Sequence, residues 1–139
     1  MRQPASATRT ASLRIRAAYA CEDAAVTVRI EHVTFDCADP RALAQWWADT
    51  VGSSIQNDWD DFVVVAATPS GLPPLGFQRV PEGKAAKNRV HLDLLVEDAG
   101  EIDLLVARGA TVLAEHSAGP ISWTVLTDPA GNEFCARKP

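Results

Sequence analysis

His32 and His91 occupy the same place in two copies of one pattern. His32-Val-Thr-Phe-Asp-Cys-Ala-Asp39 and His91-Leu-Asp-Leu-Leu-Val-Glu-Asp98 each open on histidine, run largely apolar and reach aspartate seven positions on. A neutral imidazole can ligate a metal ion, and it can equally serve as a hydrogen-bonding group in a metal-free pocket. Side chains alternate along a strand, so His32, Thr34 and Asp36 share one face, and His91, Asp93 and Leu95 share the matching face of the second copy. If those faces line a cup, Asp36 and Asp93 are candidate general bases, or partners for Arg79, Arg89 or backbone amides at its rim. Trp59 and Trp123 fall on hairpin strands, where an aromatic ring can stack a planar or sugar-like ligand or pack into the core.

The elements that must position these residues read as one unit used twice. The first copy is predicted as a strand over Val28 to Cys37, a helix entered at Asp39-Pro40 and ended by Gly52, then strands at Ser54 to Asn57, Phe62 to Ala67 and Leu75 to Val80. The second is predicted as a strand over Arg89 to Val96, a helix at about Gly100 to Arg108, then strands at Thr111 to Glu115, Ile121 to Thr127 and Glu133 to Arg137. Asp128-Pro-Ala-Gly-Asn132 reads as a tight turn and nothing more. The boundaries expected are a tail at 1–27, module one at 28–80, a polar linker at 81–88 and module two at 89–138. The tail carries Arg2, Arg9, Arg14 and Arg16 against Glu22 and Asp23, so the acidity belongs to the two modules.

With 139 residues and 47% apolar content, the chain has material for one domain with a real core. Its formal net charge of −5 argues against nucleic acid and anionic membranes as partners, since both call for clustered Lys and Arg. No apolar run approaches the roughly 20 residues that span a bilayer. Cys21, Cys37 and Cys135 are odd in number and widely spaced, as expected of reduced thiols in a cytoplasm.

The repeated unit, the strand-head histidines, the helix entry Asp39-Pro-Arg-Ala-Leu-Ala-Gln-Trp-Trp-Ala-Asp-Thr-Val-Gly52 and the ending Asp128-Pro-Ala-Gly-Asn-Glu-Phe-Cys135 together resemble the vicinal oxygen chelate superfamily, and within it the bacterial glyoxalase-like domain group. The resemblance implies an α+β fold in which two βαβββ modules form a curved mixed sheet around a cup, the glyoxalase/bleomycin resistance fold. It also implies four inward positions able to hold one divalent metal, Zn, Ni or Mn, where the superfamily member is a metal enzyme. Here those positions fall on His32, Gln78, His91 and Cys135, with a one-residue slip open at Gln78. A thiolate suits Zn²⁺ better than harder cations, and no carboxylate stands where a metal-bound base is wanted, although Glu133 shares Cys135's strand face and could reach the rim. Cys135 can also be a plain wall residue.

The superfamily holds lyases, isomerases, dioxygenases and binders, so fold alone does not choose among them. One expectation is a protein that binds a small molecule in the cup, for resistance or sequestration, through Asp36, Asp93, Trp59, Trp123 and Glu133; acidity would suit a cationic ligand. The alternative is a metal-dependent lyase or isomerase acting on a vicinal-oxygen substrate. A third is a non-catalytic partner domain using its sheet edge. A homodimer is expected in each case, because pairing would cover open sheet edges.

Overall fold

The computed structural model describes residues 28–139, and the tail expected at 1–27 lies outside them. Strand β1 (Val33–Cys37) leads to helix α1 (Pro40–Val51), followed by β2 (Ile55–Asp58), β3 (Phe62–Val65) and β4 (Leu75–Arg79). The second module repeats this with β5 (Asp93–Leu95), α2 (Ala99–Ala107), β6 (Thr111–Ala118), β7 (Ile121–Thr127) and β8 (Glu133–Arg137). Each module forms a four-stranded mixed sheet, ordered β1-β4-β3-β2 and β5-β8-β7-β6. The first and third of the three later strands are antiparallel to the middle one, and the module's opening strand pairs parallel with its last. This is the α+β arrangement of two βαβββ units.

Local chemistry explains the helices. The Asp39 carboxylate accepts from the Ala42 amide at 3.1 Å, Pro40 fills the first helical position, and Gly52 closes α1 at φ 66°, a left-handed conformation that glycine adopts without strain. Leu43, Ala44, Trp46, Trp47 and Ala48 form the buried stripe of α1 at helical spacing. Asp98 caps α2 in the same way by accepting from Gly100 at 2.7 Å. Only Leu105 of that helix is buried, while Leu104 is exposed, so α2 sits more shallowly on its sheet.

A single core joins the modules behind the sheets. Trp47, Phe77, Leu75, Val63 and Val65 from the first module meet Leu126, Phe134 and Ala136 from the second, all essentially inaccessible. Trp46 and Trp47 each lie against the Phe134 ring, at 5.9 and 5.4 Å between centroids. The Trp47 indole N–H donates to the buried Asp128 carboxylate at 3.0 Å. Asp128 also accepts from the amides of Ala130 and Asn132. The Asp128–Asn132 turn is therefore more than a turn: it is the hydrogen-bonded anchor of the first module's helix.

Two strands are shorter than their sequence predicts. β1 begins at Val33, with Val28 and Ile30 exposed, because its partner β4 is preceded by Pro73 and Pro74, and Pro74 has no amide to continue the ladder. β5 is confined to Asp93–Leu95, opposite Cys135–Arg137. Both histidines thus stand just ahead of a ladder. In the opposite direction, β6 runs on past Glu115 to Ala118 and brings His116 opposite Trp123. One outer strand of each sheet, β2 and β6, carries a register shift, between Ile55 and Asn57 and between Val112 and Ala114.

Candidate functional site

The second module gathers the chemistry-bearing side chains on the face away from the core. On β8 the exposure alternates, with Phe134 and Ala136 buried and Glu133, Cys135 and Arg137 half-buried on the other side. Asp93 pairs in parallel register with Cys135, and Val125 pairs with Cys135 from the opposite flank. His91, two residues before Asp93, falls on the same face. His116 and Trp123 extend it, their rings 5.5 Å apart and tilted by 30°. These residues, with Lys87 and Arg137 on the wall, line an open pocket of about 520 Å³.

Three side chains of the types that can ligate a metal converge there. His91 Nε2 lies 3.3 Å from Asp93 Oδ1, and the ligand atoms of His91, Asp93 and Cys135 all fall within 4.8 Å of one another. Burial, followed by the hydrogen bond to the Asp93 carboxylate, pushes the Cys135 thiol upward, so it stays protonated at neutral pH. Cys37 is pushed up to about 11, by burial first and then by Asp128, and points its thiol at the Gln78 carbonyl in the core. Asp93 meets His91 and Cys135, not the arginines expected of it.

Glu133 shares this face but is already engaged. It accepts from the Asn88 amide at 2.9 Å and pairs with Lys84 at 3.0 Å, fastening the 81–88 linker to β8. The Asn88 amide, and then the Lys84 ammonium, hold its carboxyl down at about 2, against an ordinary value of 4.5. A depressed carboxyl stabilises the fold fully above its ordinary value, and that contribution drains away as pH falls through 4.5 towards 2. Melting temperatures across this window should therefore fall more steeply for the natural chain than for Glu133→Gln, and parallel slopes would show that Glu133 is not the group titrating.

The first module's corresponding face is arranged differently. Thr34 pairs with Gly76 as Asp93 pairs with Cys135, and Asp36 pairs with Gln78 as Leu95 pairs with Arg137. By strand register, then, the counterpart of Cys135 is Gly76. A Cβ on Gly76 would lie 2.7 Å from Thr34 Oγ1 and 2.8 Å from Phe62 Cζ, so the Phe62 ring lies over the glycine. His32 meets that ring edge-on at 5.7 Å, and Trp59, 61% exposed, stacks with it at 6.3 Å. Gln78 donates its amide to the carbonyls of Asp61 and Arg79. Asp36 lines a separate cavity of about 590 Å³ between β1 and the linker, which His91 also borders. Among the sequence-predicted residues, His91, Asp93, Trp123 and Cys135 come together, Glu133 borders them, and His32, Asp36, Trp59 and Gln78 belong to other surroundings. His116, Lys87 and Arg137 join the site although nothing in the repeat marks them.

The family model described as "Glyoxalase-like domain" matches residues 32–137, nearly all of the described chain. The chain belongs to the glyoxalase-like domain family. Solved structures with this fold include a glyoxalase/bleomycin resistance protein/dioxygenase family enzyme from Burkholderia phytofirmans PsJN, 19% identical, covering 80% of this chain and 98% of that chain at a TM-score of 0.62. The fosfomycin resistance protein FosX from Mesorhizobium loti is 11% identical, with 82% and 94% covered and a TM-score of 0.63. Protein ATC0852 from Agrobacterium tumefaciens is 15% identical, with 81% and 98% covered and a TM-score of 0.65. No curated protein matches the chain.

Within this glyoxalase-like domain the four metal positions implied by the resemblance do not make a complete donor set. Gly76 offers no side chain at the register position matching Cys135, the Gln78 side chain is tied to the Asp61 and Arg79 carbonyls, and His32 falls outside the group that His91 and Cys135 form with Asp93. A one-residue slip does not mend this, because it reaches either Phe77, which is in the core, or Arg79, a cation paired with Asp61. The acidity of the glyoxalase-like domain also lies elsewhere: Asp58 and Asp60 are bound by Arg41, and Asp61 by Arg79. Among the described residues no helix is long and apolar enough to cross a membrane.

Proposed function

We propose that this glyoxalase-like domain binds a small planar molecule, neutral or anionic, on the cup face of its second module. The observation that carries the reading is the Trp123–His116 pair beside a cavity whose wall also holds Lys87 and Arg137. Flat rings take a planar ligand by stacking, and the cations suit a carboxylate on it. The acids of this region are Asp93, occupied by His91 and Cys135, and Glu133, occupied by Asn88 and Lys84. That balance points away from the cationic ligand which the overall charge suggests. Holding such a molecule without converting it is sequestration, the role of a resistance protein.

A metal-dependent lyase or isomerase is the second reading, favoured by the His91–Asp93–Cys135 cluster. Pairing of two chains is part of the proposal, supported by the apolar groove where Leu95 and Leu104 stand exposed beside Leu72 and Val51. The free thiols of Cys37 and Cys135 support a reducing compartment, the cytoplasm.

The test is a series of planar aromatic carboxylates followed through the indole N–H resonances. Binding should move Trp123 and leave Trp46 and Trp47 unshifted, and Trp123→Ala should weaken it by about tenfold, the equivalent of one stacking contact. Shifts confined to Trp59 would move the site to the first module and sink this reading.

A further inference from the structure

We propose that His91, Asp93 and Cys135 form a metal site built by the second module alone, open at one position and selective for a thiophilic dication such as Zn²⁺. The His-Leu-Asp spacing puts His91 and Asp93 on one strand face, and the parallel register supplies Cys135 from the neighbouring strand. The 3.3 Å between His91 Nε2 and Asp93 Oδ1 matches the edge of a tetrahedron with bonds of about 2.0–2.1 Å, roughly 3.3–3.4 Å. Cys135 Sγ, within 4.8 Å of both, reaches its place by a small side-chain adjustment. One nitrogen, one oxygen and one sulfur suit Zn²⁺ and exclude the all-oxygen coordination that Mg²⁺ and Ca²⁺ prefer.

Three protein ligands leave a fourth position, and all three residues line the 520 Å³ cavity, so that position opens into it. Lys87 and Arg137, on the same wall, are placed to partner an anion bound there. The site differs from a centre shared between modules. Gly76 supplies no donor, Phe62 lies over it, and His32 is set edge-on to the Phe62 ring. Metal binding here stands apart from the planar-ligand reading, because the metal alone is the probe.

The experiment equilibrates the full chain with Zn²⁺ or Co²⁺ and reads metal content after dialysis, together with the near-ultraviolet thiolate-to-cobalt charge-transfer band. One metal per chain and a clear band are expected. Cys135→Ser should abolish the band, and His91→Ala and Asp93→Asn should each weaken Zn²⁺ binding by at least about 100-fold. His91 and Asp93 are exposed, so these two variants keep the fold and cover the case in which Cys135→Ser does not. His32→Ala and Gln78→Ala should bind Zn²⁺ within about twofold of the natural chain, since neither residue belongs to the cluster. Substoichiometric metal in the natural chain, a band that survives Cys135→Ser, or losses as large in His32→Ala as in His91→Ala would each overturn the single-module site.

Discussion

Trp47→Ala is expected to remove about 4 kcal/mol or more of folding stability, a large part of the roughly 5–15 kcal/mol that a domain has. Trp47 is fully inaccessible, and its ring touches Phe35, Trp46 and Phe134, so alanine leaves a cavity at the seam between modules. The same change strips a donor from Asp128, a carboxylate only 2% exposed. Two variants separate the contributions. Trp47→Phe keeps one aromatic ring but loses the N–H together with the rest of the indole's five-membered ring, and should cost about 1–3 kcal/mol. Asp128→Ala also frees the amides of Ala130 and Asn132, and should cost at least as much as Trp47→Phe. Urea unfolding checks all three. A Trp47→Phe variant as stable as the natural chain would show that neither the Asp128 bond nor the lost ring atoms contribute net stability.

Gly76→Ala is expected to destabilise by about 1–3 kcal/mol, although alanine favours a folded strand elsewhere. Gly76 has no left-handed φ, so the substitution should gain about 0.5–1 kcal/mol from reduced chain freedom. Space decides against it. The added Cβ sits 2.7 Å from the Thr34 hydroxyl and 2.8 Å from the tip of the Phe62 ring, and one of them must move. If Phe62 yields, the stacking partner of Trp59 moves with it, and Trp59 emission should shift. A double-mutant cycle with Phe62→Ala measures the conflict: the pair should cost less than the sum of its parts by about 1 kcal/mol. Strict additivity would mean that the ring is not what closes this face.

Much of this fold was legible because periodicity and capping are local. The helix from Asp39 to Gly52 and the strands at Ile121–Thr127 and Glu133–Arg137 stand where alternation, an N-cap aspartate and a terminal glycine put them. Strand faces were legible for the same reason, which is why His91 and Asp93 could be put on one face, while Cys135 was named by the resemblance. What stayed hidden needed a partner strand. β1 and β5 are short because a ladder ends where its neighbour does, and His116 escapes notice because the alternation alone ends β6 one residue before it. The resemblance and the repeat part company at β4. The resemblance places a ligand there on a residue with donor atoms, and the register counterpart is a glycine. Asp128 looked like turn chemistry alone because its indole partner is 81 residues away in the chain.

The register shifts in β2 and β6 bear on how the protein behaves when concentrated. These strands end their sheets, and a strand with evenly spaced free amides is a template on which further chains can add into fibres. An extra residue puts those amides out of step and twists the strand away from a flat partner. At these two borders a neighbouring molecule meets a row that is hard to copy, which disfavours open-ended addition of further chains there.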